Sequence, residues 1–214
     1  MNKSTFFALG LVIILGCSSS KNINNSSFSF EEKTLIMNAD SLKPMRVYKI
    51  TNPKDSLLLR TKSAPITPNL KDPVLQNFIR RLYATVRDSM SMGVGIAAPQ
   101  VGILKNIIWV QRFDKENLPF EVYLNPKIVN YSKKKQTVRE GCLSIPNRSD
   151  TLNSRSFSVS IEYDTMSSGH KTETVDGFTS VIFQHEIDHL NGILYLDHLQ
   201  REAVNTKNNN HSLP

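Results

Sequence analysis

With only two cysteines, Cys17 and Cys142, the chain can close at most one internal disulfide and must fold on an apolar core. Its 214 residues, 39% of them hydrophobic, suffice for one such core and are too few for two catalytic domains. The apolar run from Phe6 to Leu15 is too short to span a bilayer. No internal repeat is visible, which excludes a solenoid or propeller. Gly93 and Gly95 lack a GxGxxG pattern or a Lys-Ser/Thr continuation, so they do not form a phosphate loop. The net charge of +7 is scattered: only Lys133-Lys134-Lys135 and Arg80-Arg81 adjoin, and no aromatic stacking motif accompanies them. A solvated basic surface is expected, without nucleic acid as a partner.

At the N-terminus, Lys3 precedes the short apolar run, which ends Ile14-Leu15-Gly16-Cys17. That pattern resembles a bacterial lipoprotein signal (residues 1–16) cleaved to leave a lipidated Cys17; the alternative is an ordinary apolar N-terminus, buried or frayed. The signal reading implies an extracytoplasmic, membrane-anchored protein, and a cytoplasmic one if it fails. Residues 17–40, beginning with the polar stretch Ser18 to Ser27, then read as a flexible tether. Residues 41–200 read as the catalytic domain and residues 201–214, asparagine-rich, as a loose tail. Outside the cytoplasm Cys142 would be a free thiol in an oxidising compartment, and ligation to a metal would protect it.

Within the domain, Arg46 to Ile50 offers a short strand. Asp72-Pro73 opens an amphipathic helix through Leu75, Phe78, Ile79, Leu82 and Val86, stopping near Met92. The small residues from Gly93 to Gln100 read as a tight turn. Strands are expected at Asn106–Gln111, Glu121–Leu124 and Phe157–Tyr163, the last turned back through Ser167-Ser168-Gly169 to Lys171–Val175. A final helix begins near Asp176-Gly177, carries Phe178, Val181, Ile182, His185 and His189 on one side, and ends around Gly192. The expected fold is α+β, a single domain with antiparallel or mixed β-sheets packed around this C-terminal helix.

That helix contains His185-Glu186-Ile187-Asp188-His189, an HExxH pattern. Histidines four apart share a helix face and can reach one divalent ion, and Glu186 follows the first of them, where it can take a proton from water polarised by that ion. The chemistry is metal-assisted hydrolysis, unless the motif is merely a polar helix with two surface histidines. The third ligand must come from elsewhere. In a secreted HExxHxxG zinc metalloprotease it would be a histidine at the position of Tyr195, for which His198 and Glu202 are the nearest substitutes.

Taken together, Gly93 to Gln100, Glu140-Gly141-Cys142-Leu143-Ser144-Ile145-Pro146 and Gln184 to Gly192 resemble, in order and separation, the three motifs of the peptide deformylases. Asn125-Pro126 and Leu190-Asn191-Gly192 also fit, and the resemblance runs from about Leu58 to Leu199. It implies a metal-dependent hydrolase that removes the formyl group from N-formylmethionyl peptides and releases formate. By similarity Cys142, His185 and His189 are the ligands, Glu186 is the general base, and Gln100 with the backbone N–H of Leu143 binds the oxyanion. Backbone near Val94, Gly95 and Gly141 would pair with the peptide as an added strand. Val94, Phe178, Val181 and Ile182 are candidates for the methionine pocket, although plain core packing explains them equally well. The family commonly uses one ferrous ion per chain; zinc or nickel also suits a thiolate with two imidazoles. A monomer is expected. Two departures stand out: Arg148 and Arg155 replace a regularly spaced arginine that contacts the peptide or pairs with the motif glutamate, and a lipoprotein would meet formylated chains only outside the cytoplasm. A non-catalytic formyl-peptide-binding lipoprotein is a further alternative, against which the intact Glu186 and Gln100 argue.

Overall fold

The computed structural model describes residues 27–88 and 92–211. Cys17, the signal pattern and the first half of the expected tether lie outside the described residues. No helix among the described residues is long and apolar enough to cross a membrane.

The amphipathic helix forms as its spacing predicts. Asp72 caps it by accepting the N–H groups of Val74 and Leu75, Pro73 opens its first turn, and Leu75, Phe78, Ile79, Leu82 and Val86 are buried along one face. It is the third helix among the described residues, α3 (Pro73–Arg87), and ends five residues before Met92, because Asp88 turns extended with ψ near 134°. Two short helices precede it, α1 (Phe30–Met37) and α2 (Pro53–Leu59). The first of these corrects the extent of the tether. Ser29 and Glu32 close a capping box, Ile36 is buried, and Phe28 meets Phe78 edge-to-face at 5.9 Å. Buried Arg81 of α3 locks the arrangement by donating to the carbonyls of Leu35, Ile36 and Lys43 and to the Asn38 side chain. These partners lie some 40 residues away, so local pattern alone did not reveal them.

Five antiparallel strands form the main sheet in the order β1 (Gly95–Ala97), β2 (Ile107–Gln111), β3 (Phe120–Tyr131), β6 (Ser158–Asp164), β7 (His170–Asp176). A separate hairpin pairs β4 (Lys135–Cys142) with β5 (Ile145–Ser156) around a Leu143-Ser144 turn. The run expected as a tight turn after α3 is instead the edge strand β1, with Gly95 opposite Val110 and Ala97 opposite Ile108, followed by a 3-10 helix at Ala98–Val101. Its partner strand supplies the hydrogen bonds that three small residues could not announce by themselves. The segment Arg46–Ile50 forms no strand; it runs extended between two other elements, its Tyr48 N–H on the Gln100 carbonyl and its Ile50 N–H on that of Ser144.

Helix α4 (Gly177–Leu190) lies across the sheet, its Ile182, Phe183, Ile187 and Leu190 packed with Ile108, Val110, Tyr123, Val159, Ile161 and Val175. The fold is α+β, as expected. Of the tail expected to be loose, residues 201–211 are helical, being the end of helix α5 (Tyr195–His211). Glu202 anchors it by accepting the backbone N–H groups of Asn153 and Ser154 at the end of the hairpin.

Candidate metal centre

The hairpin and α4 meet where Cys142 ends β4. One ligand atom from each of Cys142, His185 and His189 lies within 4.8 Å of the others, and Cys142 Sγ is 3.2 Å from His189 Nε2. A thiol and two imidazoles converging from two elements match the donor set of a divalent transition metal. Each side chain is held by its element. Gln184 fastens α4 to the hairpin through both ends of its amide, accepting the Ser156 N–H at 3.0 Å and donating to its carbonyl at 2.9 Å. The turn after Cys142 is tied to the preceding chain through Ile50.

His185 donates Nδ1–H to Glu140 Oε2 at 2.8 Å, which fixes its tautomer and turns Nε2 toward the thiol. Glu140 is buried and gripped by Arg155 at 2.7 and 2.9 Å, and Arg155 reaches Asp188 at 2.6 Å, which accepts from His198 at 2.8 Å. Burial opposes the charge on Glu140, but His185 and Arg155 outweigh it and bring the carboxyl down to about 2. Burial likewise resists ionisation of Cys142, yet the neighbouring imidazoles hold its thiol well below the usual range, the state in which sulfur ligates. This resolves the first departure. Arg155 pairs with the motif glutamate, whereas Arg148 is exposed and pairs with Asp150 at 2.8 Å.

Glu186 is buried beside the cluster, its Oε2 without a hydrogen-bond partner among the described residues. Burial, helped by the charges of Cys142 and Glu140 and opposed by the two imidazoles, pushes its carboxyl up to about 7, and a cation nearby would draw it back down. Gly95 makes room for it, since a Cβ there would come within 2.5 Å of Glu186 Oε1 and 2.8 Å of Ile182. Gln100 is buried opposite. Its Oε1 accepts the Ala97 N–H at 2.9 Å, which leaves the NH2 facing Ser144 Oγ at 3.3 Å and Cys142 Sγ at 3.6 Å.

These groups form the floor of a cleft of about 510 Å³, which Val94, Gly95, Gly141, Leu143, Phe178, Val181 and Ile182 also line. All the anticipated peptide and pocket residues therefore share one cavity with the ligands Cys142 and His185, while His189 is buried beside them. Val181 and Ile182 are nearly fully buried and Phe178 is 44% exposed, edge-on to Phe113 at 5.1 Å. The residues a protease would need do not join the cluster: the Tyr195 hydroxyl donates to Asp150, His198 serves Asp188, and Glu202 caps the hairpin. Sequence reasoning left Glu140, Arg155, Asp188 and Gln184 without site roles. Glu140 directly precedes the Gly-Cys motif and could have been found there, but the arginine that pairs with it is 15 residues on, at a spacing the hairpin bulges decide.

Comparison with known proteins points the same way. A family model described as polypeptide deformylase matches residues 45–205. The peptide deformylase of Prochlorococcus marinus is 35% identical over 175 residues, covering 78% of this chain and 86% of its own. That of Desulforudis audaxviator is 41% identical over 121 residues, covering 56% and 76%. The crystal structure of a class I type b peptide deformylase from Acinetobacter baumannii, bound to Met-Ala-Ser, is similar with a TM-score of 0.65 and 32% identity over 72% of this chain and 98% of that one. The peptide deformylase from Thermotoga maritima follows with a TM-score of 0.62 and 30% identity, covering 72% and 97%.

Proposed function

This chain belongs to the polypeptide deformylase family, and on that premise we propose that its cleft removes the N-formyl group from formyl-methionyl peptides, with Cys142, His185 and His189 holding one divalent metal ion. The observation that carries this is the convergence of the three ligand atoms within 4.8 Å, with Cys142 and His185 lining the cleft beside a buried carboxylate and a buried carboxamide. When bound, the cation supplies Lewis-acid polarisation of the formyl oxygen and of water. Glu186 accepts the proton of the attacking water and returns it to the departing amine nitrogen. Gln100 Nε2 and the Leu143 N–H donate to the oxygen on which charge develops; because the Ala97 N–H already aims the Gln100 amide, little reorganisation accompanies the reaction.

The peptide enters along the outer edge of β1, whose other edge is occupied by β2, and against Gly141 of the hairpin. Its methionine side chain lies against Val94, Phe178, Val181 and Ile182. Ferrous iron is the family's common choice, and zinc or nickel suits the same donors. A monomer is part of the same proposal. Formate release from formyl-Met peptides, measured alongside metal content of the purified protein, tests the reading; absence of formate from fully loaded protein would refute it.

We also propose that the protein is exported and membrane-anchored through lipid on Cys17, on the strength of the Ile14-Leu15-Gly16-Cys17 ending behind a charged, apolar start. Cys17→Ser should then move the protein from the membrane to the soluble fraction with its activity unchanged. Persistent membrane association of that variant would rule out the anchor.

A further inference from the structure

The cleft has a charge asymmetry that deformylation does not require. Lys49, Arg139 and Arg148 line it, and all three are exposed. Arg139 and Arg148 belong to the two strands of the hairpin, and Lys49 directly precedes Ile50, whose N–H is bonded to the hairpin turn at Ser144. The carboxylates among the described lining residues are Glu140, buried between Arg155 and His185, and Glu186, buried on the floor. Asp150 lies beside this wall and pairs with Arg148. Arg139 places its Nε–H on Ser149 Oγ, and neither it nor Lys49 has a carboxylate within ion-pair distance among the described residues.

A peptide whose formyl group lies at Cys142, His185 and His189 must carry its following residues outward through this cleft, past the hairpin. We propose that the cleft selects formyl-methionyl peptides with acidic side chains in the positions just after methionine, recognised by Lys49 and Arg139, since Arg148 is already paired with Asp150. This rests on the deformylase reading and adds to it the class of substrate. Such contacts lie far from the bond that breaks, so they stabilise bound substrate and transition state alike and act on KM rather than kcat. Being exposed, they are screened by salt.

The test uses the metal-loaded protein and three peptides, formyl-Met followed by two alanines, two aspartates or two lysines, each amidated at its C-terminus so that no terminal carboxylate competes. At low ionic strength kcat/KM should rank aspartate above alanine above lysine, with steps of about fivefold each, as for one exposed ion pair. The ranking should reside in KM and shrink at high salt. In Lys49→Gln/Arg139→Gln the ratio of aspartate to alanine peptide should fall to near one. Equal kcat/KM for all three peptides, with formate released, would overturn the acidic preference while leaving the deformylase intact. No formate from any of them would remove both.

Discussion

At the scale of single residues, the site separates groups that hold a metal from a group that moves a proton. Glu186 accepts no hydrogen bond at Oε2 and is close to Gly95, so changing it to glutamine preserves its shape and removes only its basicity. Glu186→Gln should retain metal while formate release falls roughly a hundred- to ten-thousandfold, as expected for loss of a general base. Normal metal content with near-normal turnover would exclude Glu186 from the reaction. The ligands predict the complementary pattern. Cys142→Ala leaves two imidazoles, so metal retention and formate release should both disappear, whereas His198→Ala, outside the ligand cluster, should keep its metal. Metal analysis of the two variants discriminates sharply, because a protease-type third ligand after the helix would invert the result.

At the scale of elements, the hairpin β4–β5 and helix α4 are useful only in a fixed relation, and Arg155 is where that relation is enforced. Its guanidinium joins Glu140 of one strand to Asp188 of the helix, and Glu140 in turn orients His185. Arg155→Met would leave two largely buried carboxylates without their guanidinium, Glu140 held only by His185 and Asp188 only by His198, and breaking such a buried pair costs about 3–5 kcal/mol. The expected result is a lowered urea midpoint, with metal affinity weakened about 10- to 100-fold as His185 loses its fixed orientation. Unaltered affinity in the folded variant would show that α4 alone holds the ligand. Gly95→Ala attacks the same junction from the sheet, pushing Glu186 and Ile182 aside, and should depress turnover more than stability.

At the scale of the whole molecule, another buried cation ties the sheet together outside the ligand cluster. Arg112 follows β2 directly, is 2% exposed, and bonds Asp114 at 2.6 and 2.8 Å, Glu173 of β7 at 3.0 and 3.1 Å, and the Tyr123 hydroxyl at 2.6 Å. Arg112 lowers the Asp114 carboxyl from its usual 3.8 to about 2, against the opposing effect of its burial. A depressed folded-state pKa contributes stability that is complete above the unfolded value and is lost as pH falls through the folded one. Stability measured in urea should therefore decline between about pH 4 and pH 2, and Asp114→Asn should flatten that part of the curve. An unchanged slope in the variant would assign acid sensitivity to other carboxylates. Partial exposure of Asp114 keeps the effect modest.

By itself the sequence determined the chemistry and the strongly periodic elements. HExxH places its imidazoles by the pitch of one helix, α3 declares itself through its cap and apolar stripe, β2 through its apolar run, β6 through alternation and β7 through the turn that leads back to it, because each of these signals is local. The association of Gly93 to Gln100, Glu140 to Pro146 and the HExxH helix was legible only as a resemblance. What tertiary structure decided is everything that depends on distant partners. Gly95–Ala97 is a strand because β2 accepts it; Phe28 and Ile36 belong to the core because α3 receives them; residues 201–211 stay helical with Glu202 engaged on the hairpin. Likewise Arg155 and not Arg148 pairs with Glu140, since the β4–β5 register shifts determine which of two arginines is buried. A buried charge demands a partner at close range, and which residue meets that demand is a property of the folded surface, not of spacing along the chain.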